Sequence, residues 1–546
     1  MATGSIFTLL LAVRLAVFVA TLSSHPKVLL ISFDGFRYDL LNRTMTPNIF
    51  RWTLNSTWFV NGLKSQYTTS TAPNHMSIVT GMREVDHGIV SNVFIDTKTG
   101  KWYDYFDLTG REGAVEASLD KSWYFGDPIW LTNERSDFTR RSAVLYWPAS
   151  DAAYPQPPHR PWLHRRFVPG RDLNDWTMDV DEIVHLFISD RSPVNFVAWY
   201  VDEPDHVLHN NGFYNGELNM VVDSLDKLFG YLIERFRQTG LQDAVDIILT
   251  SDHGHAQIER PENIMCVREF LPDDGYEIAD HMIYPRDEEV AQQIYKNLTA
   301  AVEKFGYKVN VYLKENLPSR YFFSNSTRVG RIVIDGEIGS AASLKKGCSS
   351  DLGHQKGAKT VIHASTHNSD PERQEMRGIL VVGGPSIIRG KKVSKIPENI
   401  DLYALMCKLL QIPPSPSSSS LSVVREALSG ALTGSHTRFL VIFLLIPSAF
   451  LAVVAISGRL RQTRFSLREW SQSGYRPIHT DIFDVEKELI VDELLYQDLN
   501  NSSTTNQRSG DSTNCKGERQ KALLTIRLLQ VDLQNFRKVD GKGTGY

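Results

Sequence analysis

Short apolar runs, each bounded by turn-forming or charged residues, recur along this chain. KVLLISF at 27–33, FVAWYV at 196–201, VDIILT at 245–250 and ILVVGG at 379–384 carry the pattern. A continuous apolar run of this kind reads as a strand buried on both faces, as in parallel sheets covered by helices. In DLYALMCKLL at 401–410, Leu402, Leu405, Met406 and Leu409 follow a helical period instead. Strand, helix and strand alternate through the first 90 residues. The expected fold class is therefore α/β, with a doubly wound, mostly parallel sheet flanked by helices.

Each strand leads to an acidic residue or a histidine. Asp34 follows the first, Asp205 and His209 the second, Asp252 and His253 the third, and His367 precedes the fourth. In an open α/β sheet, ligands gather at the carboxyl ends of the parallel strands, so the pattern predicts one site built from four distant places. Any one of these aspartates alone reads first as a turn or helix cap. Asp205 and His209 lie four apart, which puts them on one face of a helix. Asp252 and His253 are adjacent and can share an ion from a strand-to-loop turn. Three carboxylates and three imidazoles suit zinc better than calcium, which prefers oxygen cages. They exceed the four ligands of one tetrahedral zinc, so two zinc ions are expected. Two metals about 3.5–4 Å apart clamp the attacking and departing oxygens of a phosphoryl displacement.

The segment YTTSTAPNHMSIVTGMREVDHGIVSN, Tyr67 to Asn92, supplies a nucleophile. Its Thr71-Ala72-Pro73-Asn74-His75, followed by SIVTG at 77–81 and HGI at 87–89, resembles the ectonucleotide pyrophosphatase/phosphodiesterase family of the alkaline-phosphatase superfamily. FDGFR at 33–37, TPN at 46–48, PIW at 128–130, YWP at 146–148, EPD at 203–205, SDHG at 251–254 and NVYLKE at 310–315 extend the resemblance in the family's order. It covers nearly all of residues 27–412 and implies an alkaline-phosphatase-like fold, one sheet with inserted loops.

The resemblance also implies roles. Asp205, His209 and His367 would hold one zinc, and Asp34, Asp252, His253 and the Thr71 oxygen the other. Thr71 would attack phosphorus and form a covalent phospho-threonine, its weak hydroxyl activated by metal coordination. Asn92, with the backbone N–H of the nucleophile, would donate to the phosphoryl oxygen. His367 is preferred over His354 and His363 because the stretch from it to Gly384-Pro385 keeps the family's length; those two are expected to be loop histidines. His255 stands where the family often carries methionine and is expected on a solvent-facing loop, with a place behind the ligands as the alternative.

Substrate choice is where the chain departs from the resemblance. Nucleotide-cleaving members stack the base on an aromatic directly after the nucleophile; here that residue is Ala72, and the lysine often preceding the nucleophile is Ser70. Leu208 replaces the glycine of the EPDxxGH pattern. Trp162, Phe167 and Trp176 are candidates for the opposing aromatic. The expected substrate is a small phosphodiester or pyrophosphate, such as an extracellular nucleotide, cleaved to a 5′-monophosphate. Cleavage of a choline or lipid head-group phosphodiester is the alternative, and a catalytically silent cell-surface binding module is the third reading.

The chain ends bear on location. Residues 1–24 read as a signal peptide, with Arg14 inside its apolar run leaving an uncleaved anchor as the alternative. Phe439 to Ile456 carry no charge and suit a membrane-spanning helix at 438–457. Arg459, Arg461, Arg464 and Arg468 follow it, against Arg438 alone before it, so 458–546 is expected as a cytoplasmic tail. That makes 27–412 an extracellular catalytic domain of a single-pass type I plasma-membrane protein, with 413–437 a Pro/Ser-rich flexible stalk. Sequons at Asn42, Asn55, Asn297 and Asn325 would then carry N-glycans, while Asn501 would stay bare. Of four cysteines, Cys515 falls in the tail and Cys407 in the helical 401–410 segment, which leaves Cys266 and Cys348 to form a bridge. A net charge of −4 and the lack of a basic stripe argue against a nucleic-acid polymer as partner. Arg165-Arg166 and Lys345-Lys346 are read as solvated surface.

Overall fold

The computed structural model describes residues 25–105, 119–189, 193–344, 348 and 364–430. Eight strands, β1 (Lys27–Phe33), β2 (Thr57–Phe59), β3 (Ser142–Leu145), β4 (Leu163–Arg165), β5 (Phe196–Val201), β6 (Val245–Thr250), β7 (Leu380–Gly383) and β8 (Lys391–Val393), form one sheet. Their spatial order is β8-β2-β7-β6-β1-β5-β3-β4. All run parallel except β7, which is antiparallel to both β2 and β6.

β1, β5 and β6 are buried along their whole length, which is why they appear in the sequence as unbroken apolar runs. Alternate residues of β1 feed opposite layers: Val28 and Leu30 one, Leu29, Ile31 and Phe33 the other. The helices around this sheet include α1 (Thr71–Thr80), α2 (Ile129–Ser136), α3 (Leu173–Ile188), α4 (Asp205–Asn211), α5 (Glu217–Thr239) and α6 (Asp401–Leu410). α1, α2 and α6 cover the first layer through residues such as Met76, Trp130 and Leu405. α3 and α5 cover the second through Val180, Phe187, Leu225 and Phe229. The sheet is thus covered by helices on both faces, as expected.

Strand order explains how remote residues meet. β6, β1 and β5 are adjacent and parallel, so Asp252, Asp34 and Asp205 emerge side by side at their carboxyl ends. His367 precedes its strand rather than following it. Because β7 is reversed, with Leu380 opposite Thr250, its entry lies at that same edge.

The inserted region is more than loops. Tyr276–Ala279, Met282–Pro285, Ile332–Gly336 and Val309–Leu313 form a separate antiparallel sheet in that order, packed on the helix Glu288–Phe305. Its own apolar cluster includes Ile294, Leu298 and Ile334. Cys266 and Cys348 are joined by a disulfide with Cα atoms 5.5 Å apart. Cys407 is buried and is the one free cysteine among the described residues.

The proposed stalk requires correction. From Pro413 to Gly430 the chain is not a flexible linker but packs on the domain. Val424 and Ala427 are fully buried, Ser418 N–H donates to Gly81 O, and Leu428 bridges to Ile387. Composition alone hides this because the two apolar anchors lie beyond the serine run. Residues 1–24 and 431–546, including the segment 438–457, Cys515 and Asn501, lie outside the described residues. Among the described residues no helix is long and apolar enough to cross a membrane. Asn55, Asn297 and Asn325 are exposed. Asn42 is half-buried, and its side-chain oxygen accepts from the Thr44 and Met45 N–H groups.

A chain ended at Ile412 should be less stable than one ended at Gly430 by at least ~1.5–3 kcal/mol, the contribution of burying one valine side chain. Urea unfolding of the two would measure it; equal midpoints would restore the flexible stalk.

Candidate active site

The strand ends are cross-linked before any side chain acts. Asp34 N–H donates to Val201 O at 2.9 Å, and Asp205 N–H donates to Asp34 O at 3.0 Å. Gly35 N–H then donates to Asp252 Oδ1 at 3.1 Å. Gly35 takes φ +65°, and a Cβ there would stand 2.9 Å from the Asp205 Cβ, so the close approach of these loops requires glycine.

Two groups of ligand-type atoms result, Asp34, Asp252 and His253 in one and Asp205, His253, His255 and His367 in the other, each within 4.8 Å of one another. His253 reaches both groups, but its Nε2 lies 3.1 Å from Asp252 Oδ2 and 3.6 Å from Asp34 Oδ1, which places it with the first. Asp205 and His209 share a face of α4, as predicted, with Oδ2 and Nε2 3.5 Å apart. His209 Nε2 is 3.0 Å from His367 Nε2, and His367 Nε2 is 3.8 Å from Asp205 Oδ1. The loop carrying His367 is tied to the segment before Thr71, since Thr69 Oγ1 accepts from the N–H groups of Asn368 and Ser369.

Proton counting shows what these rings present. A carbonyl can only accept, so His253 Nδ1 donates to Gly254 O and His209 Nδ1 donates to Ser365 O. Both rings, when neutral, therefore turn an unprotonated Nε2 toward the carboxylates. Asp34 Oδ1, Asp252 Oδ2 and His253 Nε2 are buried with no hydrogen-bond partner among the described residues. Buried acceptors facing one another without a donor are costly. Mixed oxygen and imidazole donors whose far sides are fixed by backbone groups are the usual surroundings of zinc, so the residues fit that ion.

The electrostatics agree. Burial first, then Asp252 and Asp205, push the Asp34 carboxyl well above its ordinary range. Burial likewise raises Asp252 to about 8. At Asp205 burial acts in the same direction, but His209, His255 and His367 outweigh it and hold the carboxyl well below the ordinary range. Burial lowers His253 strongly and His367 to about 4, so both rings are neutral near pH 7.

Thr71 is the first residue of α1 and lines a cavity of about 2280 Å³ together with Asp34, Asn92, Asp205, His209 and His367. The positive end of the helix dipole lies at this position. Asn92 Oδ1 accepts from Ala72 N–H at 2.8 Å, which fixes the amide so that its NH2 is the end left for the cavity. His75, one turn into α1, donates from Nδ1 to Thr71 O at 2.8 Å and accepts at Nε2 from Ser32 Oγ at 2.8 Å, pinning the helix start to β1.

A family model described as type I phosphodiesterase/nucleotide pyrophosphatase matches residues 28–370. The chain belongs to that family. Mouse bis(5'-adenosyl)-triphosphatase enpp4 is 30% identical over 406 residues, covering 73% of this chain and 81% of its own. Human ectonucleotide pyrophosphatase/phosphodiesterase family member 5 is 28% identical over 433 residues, 78% of this chain and 82% of its own. A solved structure of murine member 5, in an inactive threonine-to-alanine form in complex with AMP, superposes with a TM-score of 0.65. It shares 26% identity and covers 74% of this chain and 100% of that one. The ectonucleotide pyrophosphatase/phosphodiesterases are hydrolases, and this chain has their alkaline-phosphatase-like α/β fold.

Set against that family, the substrate wall departs from sequence expectation. Phe167 lines the cavity and meets the Tyr200 ring edge-on at 5.7 Å. Trp176 does not face it: it is buried in the α3 layer. Trp162 is half-exposed beneath the Arg141 guanidinium and is not part of the wall. Arg166 is not plain surface either, since it pairs with Asp151 at 3.2 Å on the cavity wall. Arg165 pairs with Glu182 at 2.8 Å and stays half-exposed, as expected. His354, His363, Lys345 and Lys346 lie outside the described residues.

His255 is the main correction. It is fully buried, not solvent-facing, because Ala256–Gln257 pair with Ser365–Thr366 and fold its loop inward. Sequence reasoning also missed Tyr200, whose OH donates to Asp34 Oδ2 at 2.6 Å, and Ser365, which holds two imidazoles. The tyrosine, lying just before EPD in a strand, is indistinguishable from core by its pattern. Nothing in the sequence marks Ser365.

The raised carboxyls set a pH dependence. An unfolded Asp titrates near 4, whereas Asp252 stays protonated to about 8 in the fold, so its contribution falls as pH rises toward that value. Below about pH 6.5 the buried neutral histidines act with the opposite sign. Chelated protein should therefore lose thermal stability between pH 6.5 and 8, and zinc should abolish the loss by favouring the ionised carboxylates. A flat chelated profile in that window would contradict this.

Proposed function

We propose that the chain is a two-zinc ecto-phosphodiesterase/nucleotide pyrophosphatase that hydrolyses phosphodiester or pyrophosphate bonds of extracellular nucleotides through a phospho-threonine at Thr71. The observation that carries this reading is the set of buried ligand atoms without a hydrogen-bond partner among the described residues, gathered by the cavity that Thr71 lines. Asp205, His209 and His367 would hold one zinc, and Asp34, Asp252, His253 and Thr71 the other. Bound zinc would supply Lewis-acid stabilisation of negative charge and favour the threonine alkoxide.

The chain's own groups account for the remaining steps. Thr71 Oγ1 attacks phosphorus, forming an ester bond as the bond to the departing alcohol or phosphate breaks. Water then attacks the same phosphorus, the Thr71 ester breaks, and a monophosphate leaves with the hydroxyl restored. The Asn92 NH2 and the Thr71 backbone N–H donate to a non-bridging oxygen throughout, in a pocket where such donors count for more than in water.

Nucleotide specificity is supported by the relatives, one named as a bis(5'-adenosyl)-triphosphatase and one solved with AMP. With Ala72 in place of an aromatic, Phe167 would offer the base one face. Loss of the second face removes part of a stacking contribution of roughly 1–3 kcal/mol, and this favours keeping a choline or lipid head-group phosphodiester as the second reading. Action outside the cell, with 438–457 as the anchor, belongs to the same proposal. It is supported by the exposed Asn55, Asn297 and Asn325 sequons.

Thr71→Ala should lower turnover of p-nitrophenyl-TMP by about 10³-fold or more while leaving the fold intact. Asn92→Ala should cost about 10²–10³-fold, mainly in kcat. Release from p-nitrophenyl-phosphorylcholine but not from the nucleotide ester would replace the nucleotide reading with the head-group one. Absence of bound metal and of both activities would leave a binding module.

A further inference from the structure

We propose that His255 is an additional metal ligand, the fourth protein donor of the Asp205 centre, and that this centre consequently holds its ion more tightly than the Asp34 centre. This rests on the two-metal reading above and adds a residue to it.

The argument is one of donor counting. Ser365 Oγ lies 2.7 Å from Leu208 O and 3.1 Å from His255 Nδ1. Leu208 O can only accept, so the single hydroxyl proton of Ser365 goes to it, and Ser365 Oγ must accept from His255 Nδ1–H. The neutral ring therefore presents a lone pair at Nε2, and that atom lies 2.6 Å from Asp205 Oδ1. Two lone-pair atoms at that distance need a cation beside them. A proton would satisfy this pair alone, whereas a metal ion would satisfy it together with the neighbouring Nε2 atoms of His209 and His367.

Geometry groups the Asp205, His255 and His367 ligand atoms within 4.8 Å of one another, and His209 adjoins them through Asp205 and His367. The His255 ring stands edge-on to the His209 and His367 rings, with centroids 4.7 and 5.1 Å away. Asp205 Oδ1 lies 2.6 Å from His255 Nε2 and 3.8 Å from His367 Nε2, Asp205 Oδ2 lies 3.5 Å from His209 Nε2, and the His209 and His367 Nε2 atoms are 3.0 Å apart. Donors on a tetrahedral zinc stand about 3.3 Å apart when the bonds are ~2.0–2.1 Å. One residue, Ser365, orients two of the rings, through its carbonyl to His209 and its hydroxyl to His255. Four protein donors hold an ion more tightly than three, and zinc can still expand to a fifth position for substrate. The Asp34 centre has Asp34, Asp252 and His253 with only a hydroxyl as the fourth.

Zinc-edge X-ray absorption on the full chain loaded with one equivalent of zinc tests the proposal without substitution. Three imidazoles per zinc are expected, from His209, His255 and His367; two or fewer would overturn it. Timed chelation should remove two zinc ions from the wild type in two phases. His255→Asn keeps a hydrogen-bond donor for Asp205 but no imidazole, and should weaken retention of the slow ion by more than about 100-fold. Ser365→Ala, which removes only an outer partner, should cost about 10–100-fold. Retention by His255→Asn equal to the wild type would show that His255 only donates to Asp205 and overturn the assignment. Two bound zinc ions with two imidazoles on the first would overturn this inference alone; a wild type that takes up no zinc would remove the two-metal reading as well.

Discussion

Buried lone pairs facing one another are the constraint on which the rest of this structure depends. Asp34 Oδ1, Asp252 Oδ2 and His253 Nε2 come together in the protein interior with no hydrogen-bond partner among the described residues. The cost of burying unpaired charge, several kcal/mol per ion in real proteins, can be offset only by protons, which the raised Asp34 and Asp252 carboxyls would take, or by metal ions. The first choice leaves the site inert. The second turns the same atoms into a phosphoryl-transfer centre.

The fold tolerates that constraint because its framework is fixed elsewhere. Two apolar layers on the faces of the sheet hold β6, β1 and β5 side by side, and backbone hydrogen bonds from Asp34 and Asp205 lock the strand ends before the side chains meet. The reversed strand β7 brings the His367 loop to the same edge, and Thr69 ties that loop to the nucleophile segment. The imidazoles are oriented from behind, His253 by its neighbour's carbonyl and His209 and His255 by Ser365. The antiparallel insertion closes the far side of the cavity, where Asp280 and His281 stand on its wall.

Much of this was legible in the chain. The unbroken apolar character of KVLLISF, FVAWYV and VDIILT follows from burial on both sheet faces, and the acidic residues after them follow from the site lying at the strand ends. The spacing of Asp205 and His209 announced a helical face, and α4 begins at Asp205. What escaped depended on tertiary pairing. His255 looks like a loop residue until the Ala256–Gln257 bridge to Ser365–Thr366, more than a hundred positions away, turns it inward. The Pro413–Gly430 segment begins with the composition of a linker, and its docking rests on Val424, Ala427 and their apolar neighbours beyond the serine run, together with backbone hydrogen bonds to the domain. Trp176 and Phe167 could not be told apart by type; α3 packs Trp176 into the core, whereas Phe167, in the loop after β4, lines the cavity.

The most direct test of the central claim is anomalous diffraction at the zinc edge from crystals of the protein grown with zinc. The account predicts two peaks in one cavity: one among Asp205, His209 and His367, the other touching Asp34, Asp252, His253 and the Thr71 hydroxyl. A map with no peak beside Thr71, at full occupancy of the surrounding side chains, would contradict it.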